Sequence, residues 1–206
     1  MKAFFIFLAI IFPTTLLHCQ SKKELTVAGG RMLFGTGDVP GYSINVELSK
    51  SILKRPIPGV SALRLGAEVS FENGVKDPKV VNPTFAEFFS ESFYHVSNSV
   101  ATIKLTYFPF TNHFLRHLNI SAGPSIGYSY QSSESRWVLV YDPLFQANVR
   151  RSYLEYHNAV IVGYRISAGV TFYLSEHLLT GIRIDFASYN NGDINTLAAA
   201  KFGYVF

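Results

Sequence analysis

The chain has 206 residues and a formal net charge of +4, which bounds it to one domain of ordinary size and excludes nucleic acid as an implied partner. Cys19 is the single cysteine, so no intramolecular disulfide can form. No apolar stretch runs beyond about fifteen residues, which excludes a membrane-spanning helix.

Met1-Lys2 is followed by an apolar run from Ala3 to Leu17, broken by Pro13 and two threonines, and then by the polar exit Gln20-Ser21-Lys22-Lys23-Glu24. A positive start, an apolar middle and a polar exit describe a secretory signal peptide over residues 1–19, with the mature domain over 20–206. Two readings of Cys19 compete, cleavage after it or lipidation of its thiol. His18 favours cleavage, because the residue before a lipidated cysteine is normally small.

Past residue 23 the chain shows no helical periodicity and reads as eight candidate strands separated by Gly, Pro, Asn and Asp. The first spans Leu25 to Phe34 and the second Tyr42 to Leu53, with Tyr42, Ile44, Val46 and Leu48 opposite Ser43, Asn45, Glu47 and Ser49. The third, Ser61 to Asn73, sets Leu63, Leu65, Ala67, Val69 and Phe71 against Arg64, Gly66, Glu68, Ser70 and Glu72. A long connection, Gly74 to His95, precedes the fourth strand, Ser97 to Phe110, where Ala101, Ile103, Leu105 and Tyr107 oppose Thr102, Lys104 and Thr106. The fifth, Leu118 to Gln131, alternates from Ile120 to Tyr130 against Asn119 to Ser129. A second long connection is expected from Ser132 to His157, holding Trp137 and Arg150-Arg151, before the sixth strand, Asn158 to Leu174. The seventh, Leu178 to Tyr189, places Ile182, Ile184 and Phe186 opposite Arg183 and Asp185, and the eighth, Thr196 to Phe206, places Ala198, Ala200, Phe202, Tyr204 and Phe206 opposite Leu197 and Lys201.

Each strand thus carries one aliphatic or aromatic face and one face of Gly, Ser, Thr and charge. Eight strands enclose an interior just wide enough for one layer of side chains, so the aliphatic faces hold too much bulk to be the inside. The expected architecture is therefore all-β, an eight-stranded antiparallel up-and-down barrel with its small polar face inward and its apolar face in lipid. The connections alternate in length, short after strands two, four and six and long after three and five, as in membrane barrels with short turns at one end and longer external loops at the other.

Several stretches carry a family likeness: the signal peptide, Ala122-Gly-Pro-Ser-Ile-Gly-Tyr128, Gly169-Val-Thr-Phe-Tyr-Leu-Ser-Glu-His177, Gly181-Ile-Arg-Ile-Asp185 and Asn195 to Phe206. Together they resemble the small outer-membrane β-barrel domain proteins of Gram-negative bacteria, often labelled porin-family. That resemblance implies a monomeric barrel in the cell outer membrane with outer-membrane lipids around it. The aromatic close of the last strand, Phe202, Tyr204 and Phe206, resembles the C-terminal signal read by the barrel assembly machinery. The label porin does not by itself imply a pore.

Three constellations could carry chemistry. Glu47, Arg64, Glu68, Lys104, Arg165, Arg183, Asp185 and Lys201 all fall on the small-residue face, where charges must pair because an isolated ion in a poorly hydrated interior costs several kcal/mol. They read either as a plug of ion pairs or, since cations outnumber anions among them, as a narrow anion-biased solute channel; Asp185 is the expected neighbour of Lys201. Second, His95-Val96-Ser97-Asn98 resembles the His-x-Ser-Asn motif of outer-membrane lipid A deacylases, which implies a His95 base and a Ser97 nucleophile, with Glu72 or Glu134 to orient the imidazole. That motif lies near the C-terminal end in the deacylases and mid-chain here, so the principal expectation is a barrel without enzymatic activity. Third, Phe85, Phe88, Phe89, Phe93, Tyr94, Trp137, Tyr141, Phe145, Tyr153 and Tyr156 load the long connections with aromatics. They form either part of an aromatic belt or an external recognition surface of unassigned ligand. His113, His117, His157 and His177 stand singly in turns or loops without ligand spacing, so no metal and no cofactor is expected.

Overall fold

The computed structural model describes residues 22–35, 39–53, 60–76, 94–110, 117–144 and 147–206. The proposed signal peptide, and with it Cys19, lies outside the described residues. Eight strands follow in order: β1 (Lys23–Phe34), β2 (Val39–Ser51), β3 (Ala62–Lys76), β4 (Tyr94–Phe108), β5 (Leu118–Asp142), β6 (Ala147–Tyr173), β7 (Leu178–Tyr189) and β8 (Ile194–Val205). Every neighbouring pair is antiparallel, and β8 pairs with β1 to close the barrel. Closure leaves no free edge within the barrel wall, so the apolar last strand is satisfied along both sides.

The register fixes the barrel's dimensions. From Arg31 the cross-strand partners run through Tyr42, Asn73, Ser97 and Tyr130 to Asn158 in one direction, and through Ala198 and Ile184 to Ala168 in the other. The two paths meet β6 ten residues apart, so the sheet is sheared by ten residues over eight strands. With about 3.3 Å per residue and about 4.8 Å between strands, that shear tilts the strands by about 40° and sets a backbone radius of about 8 Å.

Within the barrel wall burial follows the two-residue period, whereas residues 153–160 of β6 are exposed at every position. Along β8, Asn195, Leu197 and Ala199 are buried while Thr196, Ala198, Ala200, Phe202 and Tyr204 are exposed. The barrel is therefore inverted relative to a water-soluble one. Its outer face exposes large apolar side chains around the circumference, among them Val27, Ile44, Leu65, Ile103, Ile126, Val160, Ile182 and Ile184. Aromatic side chains ring this face at two levels. One ring lies at the near end, where β1 starts and β8 finishes, and includes Tyr107, Phe172, Phe202 and Tyr204. The other lies toward the far end and includes Tyr42, Phe71, Tyr128, Tyr164 and Phe186.

The main departure from the sequence expectation concerns residues 132–157. They are not a loop: β5 and β6 run for 25 and 27 residues and stay paired from Leu118↔Val170 to Asp142↔Ala147, with a register shift between Glu134 and Arg136. Trp137 and Arg150-Arg151 therefore lie on strands. The alternation of loop lengths is corrected with it, because between β5 and β6 the extra residues extend the two strands, with β5 reaching Asp142 and β6 starting at Ala147.

Candidate functional site

Two features of this fold could carry function, the packed interior and the β5–β6 extension. The interior is built in layers from the near end to the far end. In the first layer Arg64 donates to Glu24 Oε2 at 2.6 Å and to the Tyr173 hydroxyl at 2.6 Å, and that hydroxyl donates to Glu24 Oε1 at 3.0 Å. The guanidinium also lies 4.7 Å from the centroid of the Phe108 ring. Beyond this triad lies a cavity of about 30 Å³, lined by Glu24, Glu47, Arg64, Lys104, Arg183 and Lys201 among others. That volume holds about two water molecules.

Glu68 is the hub of the next layer. Its carboxylate accepts from Lys104 Nζ at 2.7 Å, Arg165 Nη1 at 2.8 Å and Arg183 Nη1 at 2.5 Å. Each cation has a second anion: Lys104 pairs with Glu47 at 2.7 Å, Arg183 with Asp185 at 3.0 Å, and Arg165 with Glu72. Glu72 also accepts from Asn98 Nδ2 at 3.2 Å and Asn195 Nδ2 at 3.1 Å, which satisfies its second oxygen. Glu68, Glu72 and Arg165 are each 1% exposed, so these ions have almost no access to solvent. Mutual pairing is the condition under which such burial is tolerated. Toward the far end the interior turns apolar, where Met32, Phe34, Val39, Val96 and Leu197 form a buried cluster on which Tyr94 packs.

All eight charged residues assigned to the interior from sequence point inward. Seven are joined through salt bridges or direct hydrogen bonds to other interior groups. Lys201 is the exception. It lines the cavity and pairs with no carboxylate among the described residues, and Asp185 is taken up by Arg183 and Arg165, so the expected Lys201–Asp185 neighbourhood is not formed. Sequence reading also omitted Glu24 and Glu72 from the set. With them the described interior holds five acids, Glu24, Glu47, Glu68, Glu72 and Asp185, against five bases, Arg64, Lys104, Arg165, Arg183 and Lys201. The excess of cations that suggested anion selectivity is absent from this set.

His95 and Ser97 sit on the outward face of β4, alternating with buried Val96 and Asn98. His95 packs edge-on against Tyr130, at 6.0 Å between ring centroids. Glu72 points inward to Arg165, Asn98 and Asn195, so it cannot orient this imidazole. Of the histidines elsewhere, His113 lies outside the described residues, and the others make local contacts. His117 Nδ1 lies 2.9 Å from the Thr171 carbonyl, His177 Nδ1 lies 3.1 Å from the Val205 carbonyl, and His157 is on β6 rather than in a loop, 3.8 Å from Glu155. No group of three or more potential metal ligands occurs among the described residues.

The β5–β6 extension runs past the last described pairs with its neighbours. Among the described residues, pairing of β4 with β5 runs as far as Tyr94↔Ser133, and pairing of β6 with β7 as far as Gly163↔Tyr189. From there to Asp142↔Ala147 the two strands continue as a ribbon that pairs with no other described strand, about 30 Å long on the β5 side. Tyr141, Tyr153, Leu154 and Tyr156 are exposed on it, and Tyr130 at its base lies 6.1 Å from the Tyr156 ring. Of the aromatics assigned to loops, Tyr94 instead opens β4 and packs on the interior apolar cluster. Phe85, Phe88, Phe89, Phe93 and Phe145 lie outside the described residues.

No protein-family model and no curated protein matches the sequence. Among solved structures, a major outer membrane protein from Thermus thermophilus is 11% identical, with 91% of this chain and 100% of that chain covered at a TM-score of 0.50. The attachment invasion locus protein Ail of Yersinia pestis is 10% identical over 91% of this chain and 100% of its own, TM-score 0.49. Neisserial surface protein A is 10% identical over 90% and 97%, TM-score 0.48. At this level of identity the likeness to the Thermus protein shows the fold, that of small outer-membrane β-barrels.

Proposed function

We propose that this chain is an integral outer-membrane β-barrel with a closed lumen, and that it acts at the cell surface by presenting the β5–β6 ribbon to a binding partner. The observation that carries this reading is the contrast between the two ends of the molecule. The described interior carries ion pairs and a buried apolar cluster around a cavity of about 30 Å³, whereas the ribbon pairs with no other described strand and carries exposed tyrosines beyond the wall. An apolar outer surface between two aromatic rings suits a bilayer. Open edges in water are normally avoided because they recruit further strands, so a long ribbon is an expensive feature unless something binds it. Strand addition along an edge, with tyrosines fixing specificity, is a known mode of recognition.

The test removes the ribbon and keeps the barrel. Residues 135–153 are replaced by an Asn-Gly turn, and adhesion of cells displaying each form is measured against a panel of extracellular matrix proteins and polysaccharides. The shortened protein is expected to keep its heat-modifiable gel shift and lose adhesion, and neither form should give steady conductance in planar bilayers. Equal adhesion by both forms would refute the ribbon's role, and large stable channels would refute the closed lumen.

A further inference from the structure

The outward face of the described strands is uncharged between the two aromatic rings, and its charges stand at the level of the rings. Lys23 and Lys50 face each other across β1 and β2 at the level of the near-end ring, while Arg31 stands exposed on β1 at the level of the far ring. Arg31 makes no ion pair or hydrogen bond with any described residue. A charged side chain on the lipid face is costly at the bilayer midplane, and the cost falls toward zero only near the interfaces, where headgroups supply counter-charge. Its surroundings are those of a headgroup site. Tyr42 is its cross-strand partner on β2, 58% exposed, so a phenol leaves the same outward face as the guanidinium. On the other side Ala198 is its partner on β8. Toward the near end the surface drops to a shelf of exposed Gly29 and Ala200, which are themselves cross-strand partners, walled by Ile182 and Ile44. A Cβ added at Gly29 would meet only the Ser43 carbonyl, at 3.8 Å, so the shelf is open toward lipid.

We infer that Arg31 and Tyr42 form a binding site for the phosphate group of a glycolipid in the leaflet at the far end, with one acyl chain lying on the Gly29–Ala200 shelf. Charge complementarity selects the occupant. A planar guanidinium donates two parallel hydrogen bonds to a phosphate, and a neighbouring phenol adds a third. The site rests on the outer-membrane reading, since the outer leaflet of that membrane is built of phosphorylated glycolipid.

The test uses the full-length protein in nonionic detergent, titrated with lipid A and with the same glycolipid stripped of its phosphates. One-to-one complexes are counted by native mass spectrometry, and the heat-modifiable gel shift certifies the barrel in every variant. Wild type is expected to bind lipid A about tenfold more tightly than the stripped form. Arg31→Ala should lose that preference and Arg31→Lys should keep part of it. Gly29→Leu should weaken both glycolipids alike, and Lys23→Ala with Lys50→Ala should change nothing. Unchanged binding by Arg31→Ala, equal binding of the stripped glycolipid, or full competition by inorganic phosphate would overturn the assignment while leaving the barrel reading intact. A wild-type chain that never yields a heat-modifiable barrel in detergent or bilayers would overturn both.

Discussion

Removing the carboxylate of Glu68 is the sharpest test of how the interior is held together. The Glu68→Ala variant deletes three charge-assisted hydrogen bonds, to Lys104, Arg165 and Arg183, at a position 1% exposed. Each such bond is worth about 1.5–3 kcal/mol, but counting three independently overstates the loss. Lys104 keeps Glu47, Arg183 keeps Asp185 and Arg165 keeps Glu72, so no cation is left without an anion. Across the described interior five bases then face four acids, a net excess of one positive charge with little access to solvent, and the space of the missing side chain is left beside it. Removing one partner of a buried ion pair costs about 3–5 kcal/mol, and that is the expected destabilisation. The assay is denaturant unfolding of the refolded barrel in detergent, followed by circular dichroism and extrapolated linearly to zero denaturant. A second variant separates charge from volume. Adding Arg183→Ala removes one of the cations that Glu68 neutralised, so the double variant should be more stable than the summed single effects by about 0.5–3 kcal/mol. A loss under about 1 kcal/mol for Glu68→Ala, or strict additivity in the cycle, would refute the account of Glu68 as the hub.

Gly30→Val tests the seam that closes the barrel. An added Cβ would stand 1.9 Å from the Ala198 carbonyl oxygen of β8, which the paired backbone cannot accommodate, so the variant is expected to fail to give a heat-modifiable band on gels, whereas Gly29→Ala one residue away should give it normally. Ser97→Ala tests whether the outward His95–Ser97 pair has any chemistry. Lipid A recovered from cells expressing wild type and variant is expected to give the same mass profile, and a deacylated species present with wild type alone would overturn the non-enzymatic reading.

Much of the barrel was legible because both solvents act on it at once. Lipid outside and a narrow lumen inside force each spanning strand to alternate, and the alternation in β2 or β5 could be read directly from residue type. The same rule placed every one of the eight assigned charges inward. It failed at the ends of strands, where one more residue of the period decides membership. Glu24 has the inward parity of Thr26 and Ala28, but the first strand was begun at Leu25. Glu72 was assigned to the correct face and then given to His95 as a possible orienting acid, although facing inward on β3 excludes it from an outward site on β4. Which cation meets which anion was not legible at all. Partners such as Arg165 and Glu68 stand 97 residues apart and meet across the lumen rather than between neighbouring strands. Register and shear set that encounter, and neither is written in a single strand.

The β5–β6 ribbon was missed for the opposite reason. Within the bilayer a strand must be apolar on one side, and that requirement generates the two-residue signal. Beyond the far aromatic ring residues 153–160 of β6 are exposed at every position, and on β5 Ser132-Ser133-Glu134-Ser135-Arg136 followed by Trp137-Val138-Leu139-Val140-Tyr141 shows no alternation of residue type, although the backbone stays paired as far as Asp142↔Ala147. Residue type therefore marked where lipid ends and not where the strand ends. The remaining local cue was β-propensity in the Val-Leu-Val-Tyr run, which is weak without a buried face to pack it. A two-stranded ribbon is at best marginally stable alone in water. Here it continues a register already fixed in the barrel wall, so its pairing begins from a closed sheet and need not nucleate in isolation. The wall thus supplies the order that the ribbon's own sequence lacks, which leaves its side chains free of the alternation imposed on every spanning strand.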